Sequence, residues 1–432
     1  MSIFKKKKKL NEGDNALIAA GTSGEGAEPV VTGLYSEEAP PEINKKYKAA
    51  ALGVSIIKYA VLAVFFVYFM VMTVAFSSQI NIENFRYIIK DMNFRLPVNP
   101  EDYGEIYYIS DIEHSFALYR GDFVSAGRSR FDITDMTGKS VQSTDLGYVR
   151  PHICTSEKYL LIYDLSGNAF CVCNSFSPLY NEVTDYPITC AAINDNGYFM
   201  IASKDAEYRS VITVYNSDMK KIYHYKTNSG YIFDLLFNND GTFLLYTVSA
   251  ENGVFVSRTI SGDIRSDEKK TVFERKDTAF ISAKRSDQTH ISVLCDGKVM
   301  FFGDGELIGE YDHFPRLCRR FEAGGGYTAA VFSTGDTGAD SYLYVFDNKG
   351  EVIHTAAATS DVQKLYINNG CLYQLYTDRI KKTDLKTFKV SEHISEYEVR
   401  DLVFVDEEIV LLATPSRAYP MSVYDGFTEV TE

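Results

Sequence analysis

From about residue 104 onward the chain keeps repeating one unit, and a chain built this way has few ways to fold. In the clearest copy an apolar run at 188–193 meets the turn Asn194-Asp195-Asn196-Gly197. Strand-like runs at 198–203 and 211–218 follow, then a more polar one at 220–226. The next copy opens at Tyr231 and carries Asn238-Asn239-Asp240-Gly241 at the equivalent place. Further copies start near His114, Arg150, Thr278, Arg316, Asp361 and Glu398, so successive starts lie 36–47 residues apart. Asn and Gly supply the positive φ that tight hairpins need. Between the turns Tyr, Phe, Val, Ile and Thr dominate, with almost no helical periodicity. Period and strand content match the four-stranded blade of a β-propeller.

The expectation is an all-β fold: a single β-propeller of about eight four-stranded blades, with seven as the alternative. The last copy, 398–424, has room for only three strands. The segment 104–110 (G-E-I-Y-Y-I-S) precedes the first copy and is expected to supply the missing outer strand. Closing the ring with both chain ends would remove an open sheet edge.

Before the repeats comes an uncharged run at 59–76, preceded by Lys58 and a second apolar stretch at 49–57. A run of this length nearly crosses a bilayer core of about 30 Å, and Lys58 can snorkel toward the headgroups. Lys45, Lys46, Lys48 and Lys58 precede the run, and Arg86, Lys90 and Arg95 follow it. With the block at 5–9 added, the lysines place the N-terminus in the cytoplasm and the C-terminal domain outside the cell. The long leading segment and the poor cleavage pattern around Phe76 favour an uncleaved anchor over a signal peptide. The expected organisation is a disordered cytoplasmic tail (1–46), a transmembrane helix (47–78), a juxtamembrane stalk (79–100), the propeller ectodomain (101–426) and a short tail (427–432). Within the stalk, 82–92 has helical periodicity.

Charge narrows the partners. Residues 1–58 hold nine Lys and seven acids, leaving 35 basic against 51 acidic residues in the remainder. Nucleic acid calls for a basic footprint, which this domain lacks. The seven cysteines sit mostly in apolar strand-like runs, and no pair has C-x-x-C spacing. They read as buried thiols packing like small hydrophobes, with Cys171 and Cys173 on one face of a strand.

The N-D-N-G-Y-F and N-N-D-G-T-F turns resemble those of WD-like and TolB-like propellers. The hairpins at 345–351 and 133–139 are similar to those of quinoprotein-like propellers. As a whole the architecture looks like uncharacterised membrane-anchored β-propeller proteins of Gram-positive bacteria. This resemblance covers about three quarters of the chain, and it implies a fold rather than an activity. Quinoprotein dehydrogenases typically use a Trp platform and often a vicinal cysteine pair; this chain has no Trp. No quinone cofactor is therefore expected, and no motif points to another cofactor or a metal.

No catalytic motif emerges: there is no G-x-S-x-G elbow, H-E-x-x-H helix or phosphate-binding loop. Gly303-Asp304-Gly305 and Gly324-Gly325-Gly326 read as hairpin turns, and Asp336 with Asp340 falls short of a calcium set. The first strand of each blade lines the central channel of a propeller. On or beside those strands lie Arg150, His152, Asp234, Arg316, Arg319, Lys364, Arg400 and Asp401. These eight form the candidate site: a channel mouth that binds an acidic group on a peptide, glycan or partner loop. Mutual pairing of the charges across a wet channel is the simpler account. The reading is a membrane-anchored, extracytoplasmic module that binds or scaffolds an envelope protein, in line with its 31 Tyr residues. The alternative is a propeller hydrolase or lyase acting on cell-wall glycan or peptide.

Overall fold

The computed structural model describes residues 45–75, 100–175, 177–335 and 340–429. The chain divides into two compact units, Met1–Ser77 and Ser78–Glu432. In the first, Lys45–Ala75 is one continuous helix. Its segment Lys46–Val74 is long and apolar enough to cross a membrane, and none of its apolar window is buried. The lysine block at 5–9, the stalk periodicity at 82–92 and Asp336 lie outside the described residues.

The second unit is an eight-bladed propeller in which each blade is an antiparallel sheet. Its inner strands are Ser115–Tyr119, Pro151–Thr155, Ile188–Ile193, Tyr231–Phe237, Phe280–Arg285, Leu317–Gly324, Lys364–Asn368 and Asp401–Phe404. Blades 1 to 7 are each consecutive in sequence, in step with the eight sequence copies. The N-D-N-G turns join first to second strands. At Asn194–Gly197 the Gly197 N–H donates to Asn194 O (2.9 Å), and Gly197 adopts φ +79°. A Cβ there would meet the Tyr159 ring at 2.8 Å, so the position demands glycine on two counts. A register shift recurs between third and fourth strands in blades 1 to 6, and such bulges sharpen the twist of each outer hairpin.

Blade 8 has only three consecutive strands, Asp401–Phe404, Ile409–Ala413 and Arg417–Ser422. Its outermost strand is Ile106–Tyr107, from the start of the propeller, with Ile106 opposite Ala418 and Tyr107 opposite Arg417. The strand is two residues long but well fastened. Tyr108 N–H donates to Ser416 O (3.0 Å), and Tyr108 Oη donates to Thr414 O (2.5 Å) and Arg417 O (2.9 Å). Gly104 N–H bonds Met136 O in blade 1 (2.8 Å). A second strap comes from the other end, where Thr428–Glu429 pairs with Val390–Ile394 and gives blade 7 a fifth strand.

Apolar packing is distributed evenly around the ring. Each seam between neighbouring blades has its own buried cluster, from Phe131, Leu160 and Cys173 between blades 1 and 2 to Leu402, Leu412 and Ile380 between blades 7 and 8. The closing seam is no exception: Ile106, Phe123, Met136, Val403 and Leu411 pack together across blades 8 and 1. With no Trp available, fully buried Tyr119, Tyr215, Tyr246, Tyr373 and Tyr376 supply the large volumes. All seven cysteines are thiols; Cys171, Cys173, Cys190 and Cys295 are buried, and the Sγ atoms of Cys171 and Cys173 lie 3.1 Å apart.

Candidate interaction face

Because every blade starts at the channel and ends at the rim, the ring has two chemically distinct faces. One carries the turns joining first to second and third to fourth strands, and we call it the hairpin face. The other carries the connections from each outer strand to the next inner strand, together with the turns between second and third strands. This is the connection face.

The hairpin face is laced together. Arg120 Nε donates to Glu157 O (2.6 Å), and Glu157 N–H donates to Asp195 Oδ1 (3.0 Å). Asn196 Nδ2 donates to Asn239 O (2.7 Å), and Asn239 Nδ2 returns a bond to Asp195 Oδ2 (2.8 Å). Arg285 reaches Asn238 (2.7 Å), Gly326 N–H reaches Ser286 O (3.0 Å), and Ser286 Oγ bonds Asn348 Oδ1 (2.8 Å). These bonds link blades 1 to 6 in an unbroken series. The Asn and Asp of the turns thus hold blade to blade as well as shaping their own hairpins. Both straps, Ile106–Tyr107 and Thr428–Glu429, pair with strands so that the chain joins and leaves the ring on this face.

Most hydrogen bonds of the eight sequence-derived candidates go to groups outside the set. Arg150 and His152 open blade 2; Arg150 N–H donates to Asp164 Oδ1 (2.7 Å), and the His152 ring lies 5.6 Å from Tyr163. Burial lowers the His152 pKa, against backbone hydrogen bonds at Arg150 and Pro151 that raise it. Asp234 Oδ2 accepts the Ala283 N–H of blade 5 (3.2 Å), and its Oδ1 accepts Leu235 N–H (2.9 Å); burial raises its carboxyl pKa against these bonds. Lys364 and Asp401 do meet, at 2.5 Å across blades 7 and 8, and Asp401 also accepts from Tyr366 Oη. Arg400 bonds Glu398 (3.3 Å) and reaches Asp111 O on the way into blade 1 (2.9 Å). Arg319 is held within its own blade by Ser333 Oγ (2.8 Å) and Gly335 O (2.9 Å). Arg316 is drawn among aromatic rings instead. It donates to Tyr311 Oη (2.9 Å) and Tyr344 Oη, with its guanidinium 4.9 Å from the Tyr344 ring and 5.7 Å from Phe332.

Sequence reasoning missed the exposed apolar side chains of the connection face. In the connections themselves Ile109, Ile112, Val149, Tyr186, Phe314 and Tyr397 are exposed, Ile112 to 80 % and Phe314 to 78 %. They come from connections between five pairs of neighbouring blades. Among the described residues, the hairpin-face turns offer Tyr424 alone. The signal was present as apolar residues inside turn-rich stretches, as in Asp111-Ile112-Glu113 and His313-Phe314-Pro315.

Cavities indent the ring on both faces. One of about 750 Å³ opens on the connection face between blades 3 and 4, bounded by the turn at 204–209 and the start of the blade 4 inner strand. The other, about 460 Å³, lies on the hairpin side between blades 7 and 8. Lys382 there donates to Val423 O (2.9 Å) and sits 5.5 Å from the Tyr424 and Phe427 rings. Burial raises the pKa of Cys371 at its wall. Among the described residues no group of three or more His, Cys, Asp or Glu is placed to hold a metal ion.

Comparison with known proteins bears on the fold. Residues 101–421 match a family described as "Family of unknown function (DUF5711)". None of the curated proteins matches the chain. Among solved structures, Sqt1 of Saccharomyces cerevisiae superposes with a TM-score of 0.55 at 12 % identity, over 74 % of this chain and 98 % of that one. AztD of Citrobacter koseri (TM-score 0.47, 15 % identity, 67 % and 88 % covered) and BamB of Moraxella catarrhalis (0.37, 14 %, 63 % and 93 %) are more distant in shape.

Proposed function

We propose, from the premise that the chain belongs to the DUF5711 family of unknown function, that it is a membrane-anchored binding module which docks a protein partner on the connection face of its propeller. The observation that carries this reading is the asymmetry of exposed apolar surface: six large side chains in the connections against Tyr424 in the hairpin turns. Burying them offers a partner about 25 cal/mol per Å² of apolar area, and apolar side chains gathered on one face of a ring give a partner more to bury than the other face does. The opposite face has committed its polar groups to lacing the ring and receives both chain ends. The apolar helix Lys46–Val74 supplies the anchor. The lysines that precede it support a cytoplasmic N-terminus and a propeller outside the cell, where the partner is an envelope protein.

The reading is tested by placing a photo-cross-linking amino acid at Ile112, Phe314 or Tyr397 and, on the other face, at Lys349 or Tyr424. Irradiated intact cells should give a discrete adduct from the first three positions and none from the last two. Equal adducts from both faces, or none from either, would overturn it.

A further inference from the structure

Of the seven thiols, two are placed to react with each other. Cys171 and Cys173 alternate on Ala169–Cys173, the third strand of blade 2, so both side chains leave the same face of the sheet. Their Sγ atoms are 3.1 Å apart and share a hydrogen bond. Two steps along a strand put the Cα atoms about 6.4–6.8 Å apart, at the upper end of the span a disulfide bridges. The other thiols are turned elsewhere. Cys154 donates to Ala191 O (3.4 Å), Cys295 to Val293 O (3.8 Å) and Cys318 to Arg320 O (3.3 Å). Cys190 meets Thr189 Oγ1 (4.0 Å), and Cys371 lines the cavity between blades 7 and 8.

The local backbone leaves room for the approach a bond requires, from 3.1 Å to about 2.05 Å between the sulfurs. Cys173 ends its strand at the register shift after Val172, where it opposes Pro178 of the outer strand. Proline has no N–H to give the ladder, so this strand end is held to its outer neighbour by fewer bonds than the middle is. Around the pair Val124, Phe131, Ile133, Leu160 and Ile162 form a buried apolar shell in the seam between blades 1 and 2. That shell keeps water and dissolved reductants away from a finished bond. The hydrogen bond with Cys171 and burial raise the Cys173 pKa, so exchange takes place as the seam opens and not in the closed ring. We infer that Cys171 and Cys173 are a redox pair which interconverts between dithiol and disulfide by exchange with an external disulfide, and that the seam closes over either form. One cysteine, as thiolate, attacks the external disulfide, forming a mixed disulfide and expelling one thiolate. The second cysteine, also deprotonated, attacks the sulfur of the first and expels the other. The protein gives up two electrons and two protons, and the external disulfide leaves as two thiols.

The test uses the full-length protein in detergent micelles, with oxidised glutathione as the external disulfide. The protein is held in a buffer of oxidised and reduced glutathione with urea at the midpoint of ring unfolding, so that access does not limit exchange, and is then returned to native conditions. After an acid quench it is denatured and its free thiols are labelled with N-ethylmaleimide. Intact mass should show a label on all seven cysteines of the reduced protein and two labels fewer after oxidation, with the bond mapped to the peptide that contains 171–173. Cys171→Ser and Cys173→Ser should each keep every remaining thiol. The oxidised ring should melt cooperatively within a few degrees of the reduced one, because a bond that closes so short a loop constrains the unfolded chain little. Full labelling of the oxidised wild type, or the same loss of labels in Cys171→Ser, would overturn the pairing. So would glutathione left on either sulfur as a mixed disulfide. A bond that forms but leaves the ring without a cooperative melt would overturn its fit in the seam. None of these outcomes touches the docking face, which the photo-cross-linking tests separately.

Discussion

At the scale of single residues, the charges on the inner strands are understood through their neighbours. Asp401 is the best example. It is largely buried, accepts the Tyr366 hydroxyl and pairs with Lys364, whose side chain is 45 % exposed. Burial pushes the Tyr366 pKa well up, so its hydroxyl stays a proton donor. Asp401→Ala strands that buried donor and should cost about 2–3 kcal/mol. Lys364→Ala removes only a partly screened ion pair and should cost under about 1 kcal/mol. Chemical denaturation of the two variants checks the order; equal losses would mean that the ion pair, and not the tyrosine, gives Asp401 its value. His114 makes a prediction about pH. Its ring stacks on Phe116 (5.3 Å), Nε2 lies 3.0 Å from Ile109 O, and Nδ1 is buried without a partner. Burial lowers its pKa, opposed by the hydrogen bond with Ile109 O and by Asp111. The unfolded chain, with an ordinary imidazole near pKa 6.5, takes up its proton first as pH falls. Stability from His114 is thus complete above about pH 7 and lost as pH drops through 6.5. Melting temperature should fall between pH 7.5 and 5.5, and His114→Phe should reduce that fall while His152, whose pKa burial also lowers, keeps part of it.

At the scale of elements, the decisive piece is the shortest strand. Ile106 is buried in the seam between blades 8 and 1, packed with Phe123 and Val403. Ile106→Ala should cost about 2–4 kcal/mol, the range for a large-to-small change in a core. It should also lower the unfolding temperature of the whole ring in one transition, because an open blade 8 exposes edges on both sides. A separate early transition confined to blade 8 would show that closure matters only locally. The turns make a related prediction: Asp195→Ala removes bonds to blades 2 and 4 and should cost about 1–2 kcal/mol, more than an ordinary exposed turn residue. Blade spacing, the N-D-N-G turns and the ring-closing segment were legible because periodicity and turn chemistry are local signals. The lacing was not, since Asp195 and Asn239 are 44 residues apart and their meeting depends on how blades nest. The same holds for Arg316. Its place before an inner strand suggested the channel, but Tyr311, Phe332 and Tyr344 offer a guanidinium a better-satisfied site elsewhere. The second strap at Thr428–Glu429 was illegible too, because two residues carry no period.

At the scale of the whole molecule, a closed ring with eight comparable seams does not need its connection-face apolar residues for folding. Ile112, Phe314 and Tyr397 are absent from every buried cluster, and each leaves most or about half of its surface in solvent. Substituting side chains as exposed as Ile112 and Phe314 shifts stability by less than about 0.5 kcal/mol apiece, while Tyr397, which packs on Tyr419 and under the Arg417 guanidinium (4.3 Å), should cost about 1 kcal/mol. Their cost is paid in solubility, so their presence on one face calls for a cause outside the fold. The triple variant Ile112→Ser, Phe314→Ser, Tyr397→Ser should therefore melt within a few degrees of the wild type. Photo-cross-linking from a fourth position on the same face, Val149, should nevertheless lose its adduct in that background. A cooperative loss of more than about 3 kcal/mol in the triple variant would place these side chains in the folding of the ring and take away the argument for a docking face. An unchanged melt with an unchanged adduct would move the partner off these residues.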